Sequence, residues 1–502
     1  MLKRLNRRQF LKAGGCITAS LMLLKQHSSL ANSFEPPIAL NAGTWNHNGL
    51  IDLSVKTLAE EIRTKKISSV ELVQAYLNRI DEVNPWLNAV IHTTAESALA
   101  DARNADAMLM RGVSLGPLHG IPMTVKDSLN TAGVVTTWSV PSRSDVIPDN
   151  DATVVARLKA AGAILLGKTN TPELTLSFET NSPIFGPTNN PYDVDRTAGG
   201  SSGGSAAIVA ASGSPFDIGS DTGGSVRVPC HCCGVTGIRP TSGRVPRTGN
   251  AIGPGGPIDS LTTIGPITRY VEDLELILPL ISGPDLHDPA IVPMPKTPLT
   301  GINLKDLRGA FHTDNGIRSP DDETTTAVHM VVKTLIKAGV RFEEIRPPGI
   351  EETMELFVDL MNWGHVWRTH LLEQPISGIT NNSQPDITAD LSAKHIDNLI
   401  DRWDRFRARM LAFISPIDLI VCPTNALPAM AHGQSQDNLD AFSYTMTYSL
   451  TGWPAAVVRA ATSPEGLPIG IQIVAQPWHE KIVLSAAAQI EREFGGWKRP
   501  SL

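Results

Sequence analysis

Residues 199–227 read GGSSGGSAAIVAASGSPFDIGSDTGGSVR. A stretch this rich in Gly and Ser could pass for a flexible spacer. However, Ala206–Ala211 is an unbroken apolar run, and Phe216-Asp217-Ile218 brings a second apolar segment close behind it. A spacer has no use for either, so these glycines belong to loops at the ends of buried elements. Upstream, Gly120-Ile121-Pro122-Met123-Thr124-Val125-Lys126-Asp127 is an apolar run that ends in a lysine. That lysine is alone between Lys66 and Lys159.

These residue types suit one another chemically. A serine hydroxyl is a weak nucleophile and needs a base. Lysine serves as that base only when neutral, and free lysine at pH 7 is neutral in roughly one molecule in two thousand. Burial removes this obstacle by disfavouring the ammonium form. A lysine at the end of an apolar run is placed for that.

Simpler pattern matches fail on context. Gly162–Thr169 fits the phosphate-loop pattern GxxxxGK[ST], but its middle is Ala-Ile-Leu-Leu, a buried strand rather than a turn. Gly200-Ser201-Ser202-Gly203-Gly204 fits the GxSxG elbow, which must follow a buried strand. The residues before it, 190–196, are polar and contain Pro191. Cys230-His231-Cys232-Cys233 suggests a metal site, yet adjacent ligands rarely converge and no second cysteine pair exists. Any one serine in a Gly-rich loop is ordinarily just a turn residue. Only the joint pattern of the three segments says more.

That joint pattern resembles the amidase signature family, whose members carry a Ser–cis-Ser–Lys triad. The lysine lies in a GxPxxxKD-type run, the bridging serine in GGSSGGS, and the nucleophile in D-[TI]-G-G-S-[IV]-R. The intervals, 75 residues from Lys126 to Ser201 and 24 from Ser201 to Ser225, are similar too. Further family-like elements are Gly167–Asn170, Gly237–Thr241, Gly265–Arg269, Cys422–Thr424, Gly452–Ala455 and Gly466–Gln472. The likeness runs from about 55 to 495 and is weakest over 285–415.

The resemblance implies an α/β fold, a large twisted mixed β-sheet with helices on both faces. It implies Ser225 as nucleophile, Ser201 as relay after a cis peptide bond, and Lys126 as base. Backbone N–H groups of Thr222, Gly223, Gly224 and Ser225 would hold the oxyanion. Asp221 and Arg227 would pair to brace the loop, and Ser202 would be a further hydrogen-bond partner of the lysine. The expected reaction is hydrolysis of a small-molecule amide, with no metal and no cofactor. The alternatives are the glutaminase component of a tRNA-dependent amidotransferase and an inactive binding homologue. The latter would have lost a triad member, and none is lost.

The rest of the chain fits a soluble enzyme: 502 residues, 41% hydrophobic and 19% charged, which excludes disordered and fibrous classes. Beyond the first thirty residues no apolar run is long enough to span a bilayer. The N-terminus has a basic head, then an apolar stretch from Ala13 to Leu24. Arg7-Arg8-Gln9-Phe10-Leu11-Lys12 looks like a twin-arginine export motif, with cleavage expected after Ala31. Cys16 sits too early in the apolar stretch for a lipobox. This reading gives a signal peptide over 1–31, the export machinery as a partner, a periplasmic location, and one amidase domain over 32–502. Loss of 1–31 removes six basic residues and no acidic one, moving the net charge from −7 to −13. Such a balance, with no cluster of Lys and Arg in the mature chain, argues against nucleic acid as substrate.

Within that domain a helical part covers about 50–110, the signature core about 115–280, the less family-like region about 285–415, and a C-terminal core about 416–495. Ser68 and Glu71 make a capping-box pattern before a helix. Asp151 is expected to cap the next helix, and Thr171-Pro172-Glu173 to start another. Strands are expected over 163–166, 419–421 and 469–474, a helix over 322–338, and a surface connection over 284–300. Oligomeric state is not legible.

Overall fold

In a computed structural model, which describes residues 47–256, 259–293, 302–372 and 392–502, eleven strands form one mixed sheet. The expected signal peptide, Cys16, and residues 294–300 of the expected connection lie outside the described residues. Among those described, no helix is long and apolar enough to cross a membrane.

In chain order the elements of the first half are α1 (Val55–Arg63), α2 (Ser69–Leu87), β1 (Val90–Thr93), α3 (Ala95–Met110), β2 (Pro122–Lys126), α4 (Thr153–Ala160) and β3 (Ile164–Thr169). Then come α5 (Gly203–Ala210), β4 (Phe216–Asp221), α6 (Arg227–Cys233), β5 (Thr236–Arg239), β6 (Thr263–Thr268) and α7 (Val271–Ile281). The second half adds β7 (Arg308–Phe311), α8 (Asp322–Lys337), β8 (Arg341–Glu344), α9 (Thr353–Leu372) and α10 (Ala393–Ile414). It closes with β9 (Leu419–Pro423), α11 (Ser443–Thr451), β10 (Ala455–Thr462), β11 (Pro468–Ala475) and α12 (Glu480–Phe494). The sheet order is β1-β3-β2-β4-β6-β5-β10-β11-β9-β7-β8. Three neighbouring strands, β3, β2 and β4, run parallel, as do β9, β7 and β8; the remaining pairs are antiparallel. Helices cover both faces, so the central strands β2, β3, β4 and β6 are buried along their whole length.

Local sequence explains most element boundaries. The Ser68 hydroxyl accepts the Glu71 amide at 3.1 Å while the Glu71 carboxylate accepts the Ser68 amide at 2.8 Å, the reciprocal capping box expected for α2. Asp321 caps α8 through the Thr324 amide at 2.7 Å. Gly339 then ends it in the left-handed region.

Two expectations need correction. Asp151 does not cap α4. Its carboxylate accepts the Ala132 amide at 2.8 Å and pairs with Lys159 at 2.8 Å, so it ties the loop after β2 to the helix flank. Thr171-Pro172-Glu173 opens only one 3₁₀ turn, because Leu174 and Thr175 both have positive φ.

Candidate active site

Lys126 is the last residue of β2, and the loop holding Ser225 begins where the adjacent parallel strand β4 ends. Ser201 precedes α5, the helix that leads into β4. Three segments distant in sequence thus meet at the carboxyl ends of neighbouring parallel strands, where open α/β sheets place their ligands.

The Lys126 side-chain nitrogen donates to Ser201 Oγ at 2.7 Å and to Ser220 Oγ at 3.1 Å. Lys126 and Ser201 are fully buried, whereas Ser225 retains 6% exposure, so of the three only Ser225 faces outward. Burial lowers the Lys126 pKa to about 7, against the opposing pull of Asp221 and Asp217. The peptide bond between Gly200 and Ser201 is cis. Ser202 ties the two serine loops together, its amide donating to the Ser225 carbonyl at 3.1 Å. The Ser202 hydroxyl, however, donates to the Ser220 carbonyl at 3.4 Å rather than meeting Lys126. Ser220 fills the place expected for Ser202, since its position at the end of β4 brings it beside the end of β2.

The 222–225 loop turns so tightly that, among the described residues, the amides of Gly223, Gly224 and Ser225 have no protein acceptor. Gly224 has φ +146, and a Cβ there would come within 2.3 Å of Thr445 Oγ1. The loop is anchored at both ends by Asp221. Its Oδ2 accepts the Val226 amide at 3.1 Å and Arg227 Nε at 3.0 Å; its Oδ1 accepts Arg227 Nη2 at 2.9 Å and Arg239 Nη1 at 3.3 Å. Despite burial, these partners, Arg227 foremost, hold the Asp221 carboxyl well below the usual range. Arg227 reaches on to the Thr445 carbonyl, the Ser449 hydroxyl and Gln472 Oε1 at 2.9, 2.7 and 2.7 Å. The wholly buried α11 is therefore the pedestal of the loop.

Two aromatic rings stand against the same loop, and a third packs behind them. A Cβ at Gly223 would lie 2.6 Å from Phe357 and 3.1 Å from Phe178. Phe178 stacks on Phe442 at 4.4 Å between centroids. The adjacent Glu179 is fastened to the C-terminal half, accepting the Gly433 amide at 2.9 Å and pairing with His432 at 3.2 Å.

Ser220, Arg239, Gln472 and these rings escape a reading by motif. Arg239 and Gln472 fall inside family-like elements, but nothing in sequence points them at Asp221 and Arg227. The rings come from three segments far apart in the chain. The set-aside patterns are accounted for as well: Gly162–Thr169 is largely β3, and its Lys168 is buried against Leu129 and Thr131. His231 has both ring nitrogens against the backbone of Gly470 and Leu427, within the buried α6.

The family described as Amidase matches residues 71–484. The chain is 34% identical to fatty-acid amide hydrolase 2-B of Danio rerio, over 91% of this chain and 92% of that one. It is 32% identical to the A-type component of the glutamyl-tRNA(Gln) amidotransferase of Carboxydothermus hydrogenoformans, over 90% and 99%. Among solved structures, 6-aminohexanoate cyclic dimer hydrolase in complex with its substrate superposes with a TM-score of 0.81 at 26% identity, over 90% of this chain and 99% of the other. With the family's pattern spanning most of its length and its fold, the chain belongs to the amidase family, enzymes that hydrolyse carbon–nitrogen bonds other than peptide bonds.

Proposed function

We propose that Ser225 is the nucleophile of this amidase and that Ser201 and Lys126 form its proton relay. The observation that carries this is the fully buried Lys126, 2.7 Å from Ser201 Oγ, with its pKa lowered to about 7. Ser225 Oγ bonds to the amide carbonyl carbon, its proton passes to Ser201 Oγ, and the Ser201 proton passes to neutral Lys126. The amides of Thr222, Gly223, Gly224 and Ser225 receive the oxyanion, each such donor being worth about 3–4 kcal/mol in a transition state. On collapse the carbon–nitrogen bond breaks and the amine takes its proton from Ser201, resupplied by Lys126. Water then attacks the acyl ester through the same relay, releasing the carboxylate and restoring Ser225.

The test is labelling with a fluorophosphonate, mapped by peptide mass spectrometry. The expected result is modification of Ser225 that collapses in Lys126→Ala. Modification at Ser202, or at Ser225 regardless of Lys126, would overturn the relay.

The rings of Phe178 and Phe357 beside Gly223, with Phe442 stacked on Phe178, support amides with an aryl or alkyl substituent as substrates. The 32% identity to an amidotransferase component favours a second reading, glutamine as ammonia donor. Glutamine's charged α-groups would find apolar rings at this wall. Ammonia release from phenylacetamide in preference to glutamine is the expected outcome, and the reverse preference would favour the second reading. The twin-arginine pattern at Arg7-Arg8 supports periplasmic export. Replacing both arginines by lysine should then leave the protein in the cytoplasmic fraction.

A further inference from the structure

Close to Lys126 lies a set of buried ionisable groups that the relay does not use: Asp127, Lys168 on β3 and Asp217 on β4, all fully buried. Among the described residues none of them makes an ion pair within 4.0 Å. Lys168 donates to the Leu129 carbonyl and, at 2.8 Å, to Thr131 Oγ1. Asp127 accepts the amide of Thr137 at 3.1 Å and its hydroxyl. Asp217 Oδ2 accepts the Thr169 hydroxyl at 3.1 Å, and the hydroxyls of Thr124 and Ser205 also bear on the carboxylate. A wholly buried carboxylate met by hydroxyls and by no ion pair is costly, so its retention calls for a reason.

The strand register supplies one. Asp217 lies opposite Thr124 in the parallel β2–β4 pair, and Thr124 shares its face of β2 with Lys126 two residues on. The carboxylate is therefore diagonal to the lysine side chain. Two acidic groups act on Lys126, Asp221 and Asp217. The Asp221 charge is already met by Arg227 and Arg239. The Asp217 charge has no such ion pair; Lys168, from β3, and the hydroxyls of Thr124, Thr169 and Ser205 act on it. Lys168 is in turn drawn on by Asp127 and Asp151 and repelled by Lys159.

We propose that Asp217 is a positioning residue for the relay, the buried counter-charge that stabilises the Lys126 ammonium formed when the lysine takes the proton from Ser201. This rests on the assignment of Ser225, Ser201 and Lys126 to the relay. The cost of such a counter-charge is that it also holds the resting lysine protonated to higher pH. Burial supports the coupling by raising Asp217 to about 6 and lowering Lys168 to about 8, which brings both close to Lys126.

The test needs no knowledge of the natural substrate. The second-order rate of fluorophosphonate labelling at Ser225 is measured from pH 5 to 10 for the whole protein and for Asp217→Asn. The expected result is an acid limb displaced to lower pH by about one unit and a plateau rate reduced by up to about tenfold. Asp217→Glu, which keeps the charge, should keep the acid limb within a few tenths of a unit. A merely structural role would lower the rate in both variants without moving the limb, and that result would overturn the proposal. Should Asp217→Asn not fold, Lys168→Gln replaces it. Removing that positive charge frees the Asp217 field, so the limb should move to higher pH, and an unmoved limb overturns the proposal equally. Failure of the underlying relay is distinguishable, because then the wild-type protein would not label at Ser225 in a lysine-dependent manner.

Discussion

Lys126, as the proposed base, sets stability against chemistry. In the unfolded chain it titrates near the ordinary lysine value, while in the fold burial lowers it to about 7. Between these two values the unfolded state binds more protons, so stability rises with pH across that window; below about 7 both states are charged and the burial penalty is fully felt. Lys126→Met should therefore abolish Ser225 labelling yet stabilise the protein at pH 6 by roughly 2–4 kcal/mol. The melting temperature of the variant should also depend less on pH between 7 and 10, which calorimetry would record. Asp221 has the same pH slope but stabilises the fold rather than burdening it. Its depressed pKa contributes stability above the ordinary carboxylate value, and that contribution is lost as pH falls. Asp221→Asn leaves Arg227 and Arg239 buried without a counter-charge and should cost about 3–5 kcal/mol along with activity. Arg227→Ala should likewise lose both, and a denaturant melt unchanged from wild type would remove the bracing role.

At the level of elements, what could be read from sequence was whatever depends on near neighbours. The α2 capping box, the periodic α8 and the apolar runs of β3, β9 and β11 are local facts. Asp151 has the right residue type for a cap, but its carboxylate is occupied by Ala132 and Lys159, partners that its own sequence neighbourhood does not reveal. The central strand β6 is obscured by Gly265-Pro266, which argue against a middle strand. Its pairing with β5 reaches only Ile267 and Thr268, so Pro266 lies outside that ladder. The three motif segments were legible because backbone geometry restricts each to few residue types. The aromatic wall was not, because Phe178, Phe357 and Phe442 lie in three separate segments and no local pattern joins them. The wall depends on the join between the 177–179 loop and the 432–442 segment. Phe178→Ala should lower kcat/KM for phenylacetamide by about tenfold, the loss expected for one aromatic contact. Acetamide turnover should change less than twofold, and an equal loss on both substrates would mean the ring supports the loop rather than the substrate.

Across the whole molecule, the last residues fasten onto the first helices and onto the helix that Ser201 precedes. Trp497 Nε1 donates to the Ala210 carbonyl at 2.9 Å, at the end of α5. Arg79, on α2, reaches both the Ala211 carbonyl at 2.9 Å and the Leu502 carbonyl at 3.1 Å. Arg499 pairs with Asp52 at 2.8 Å, and Asp52 accepts the Ser212 hydroxyl at 2.6 Å. Tyr270 meets the Trp497 ring edge-on, and Arg269 lies 5.3 Å from its centroid. Of the open carbonyls at the C-terminal end of α5, that of Ala210 is thus met by a segment almost three hundred residues away and that of Ala211 by Arg79, and α5 in turn leads back to the loop that presents Ser201 to Lys126. Removal of residues 496–502 takes away the indole and leaves Ala210 to find water. The expected loss is about 1–3 kcal/mol of stability, from one half-buried aromatic and the tethers around it. The chemistry itself should survive, because no atom of the tail touches Lys126, Ser201 or Ser225. Fluorophosphonate labelling of the truncated protein should match the full chain at 15 °C and fall away several degrees earlier on heating. If the truncated protein labelled equally well up to the full-chain melting temperature, the tail would be a passenger and α5 would be held by the sheet alone.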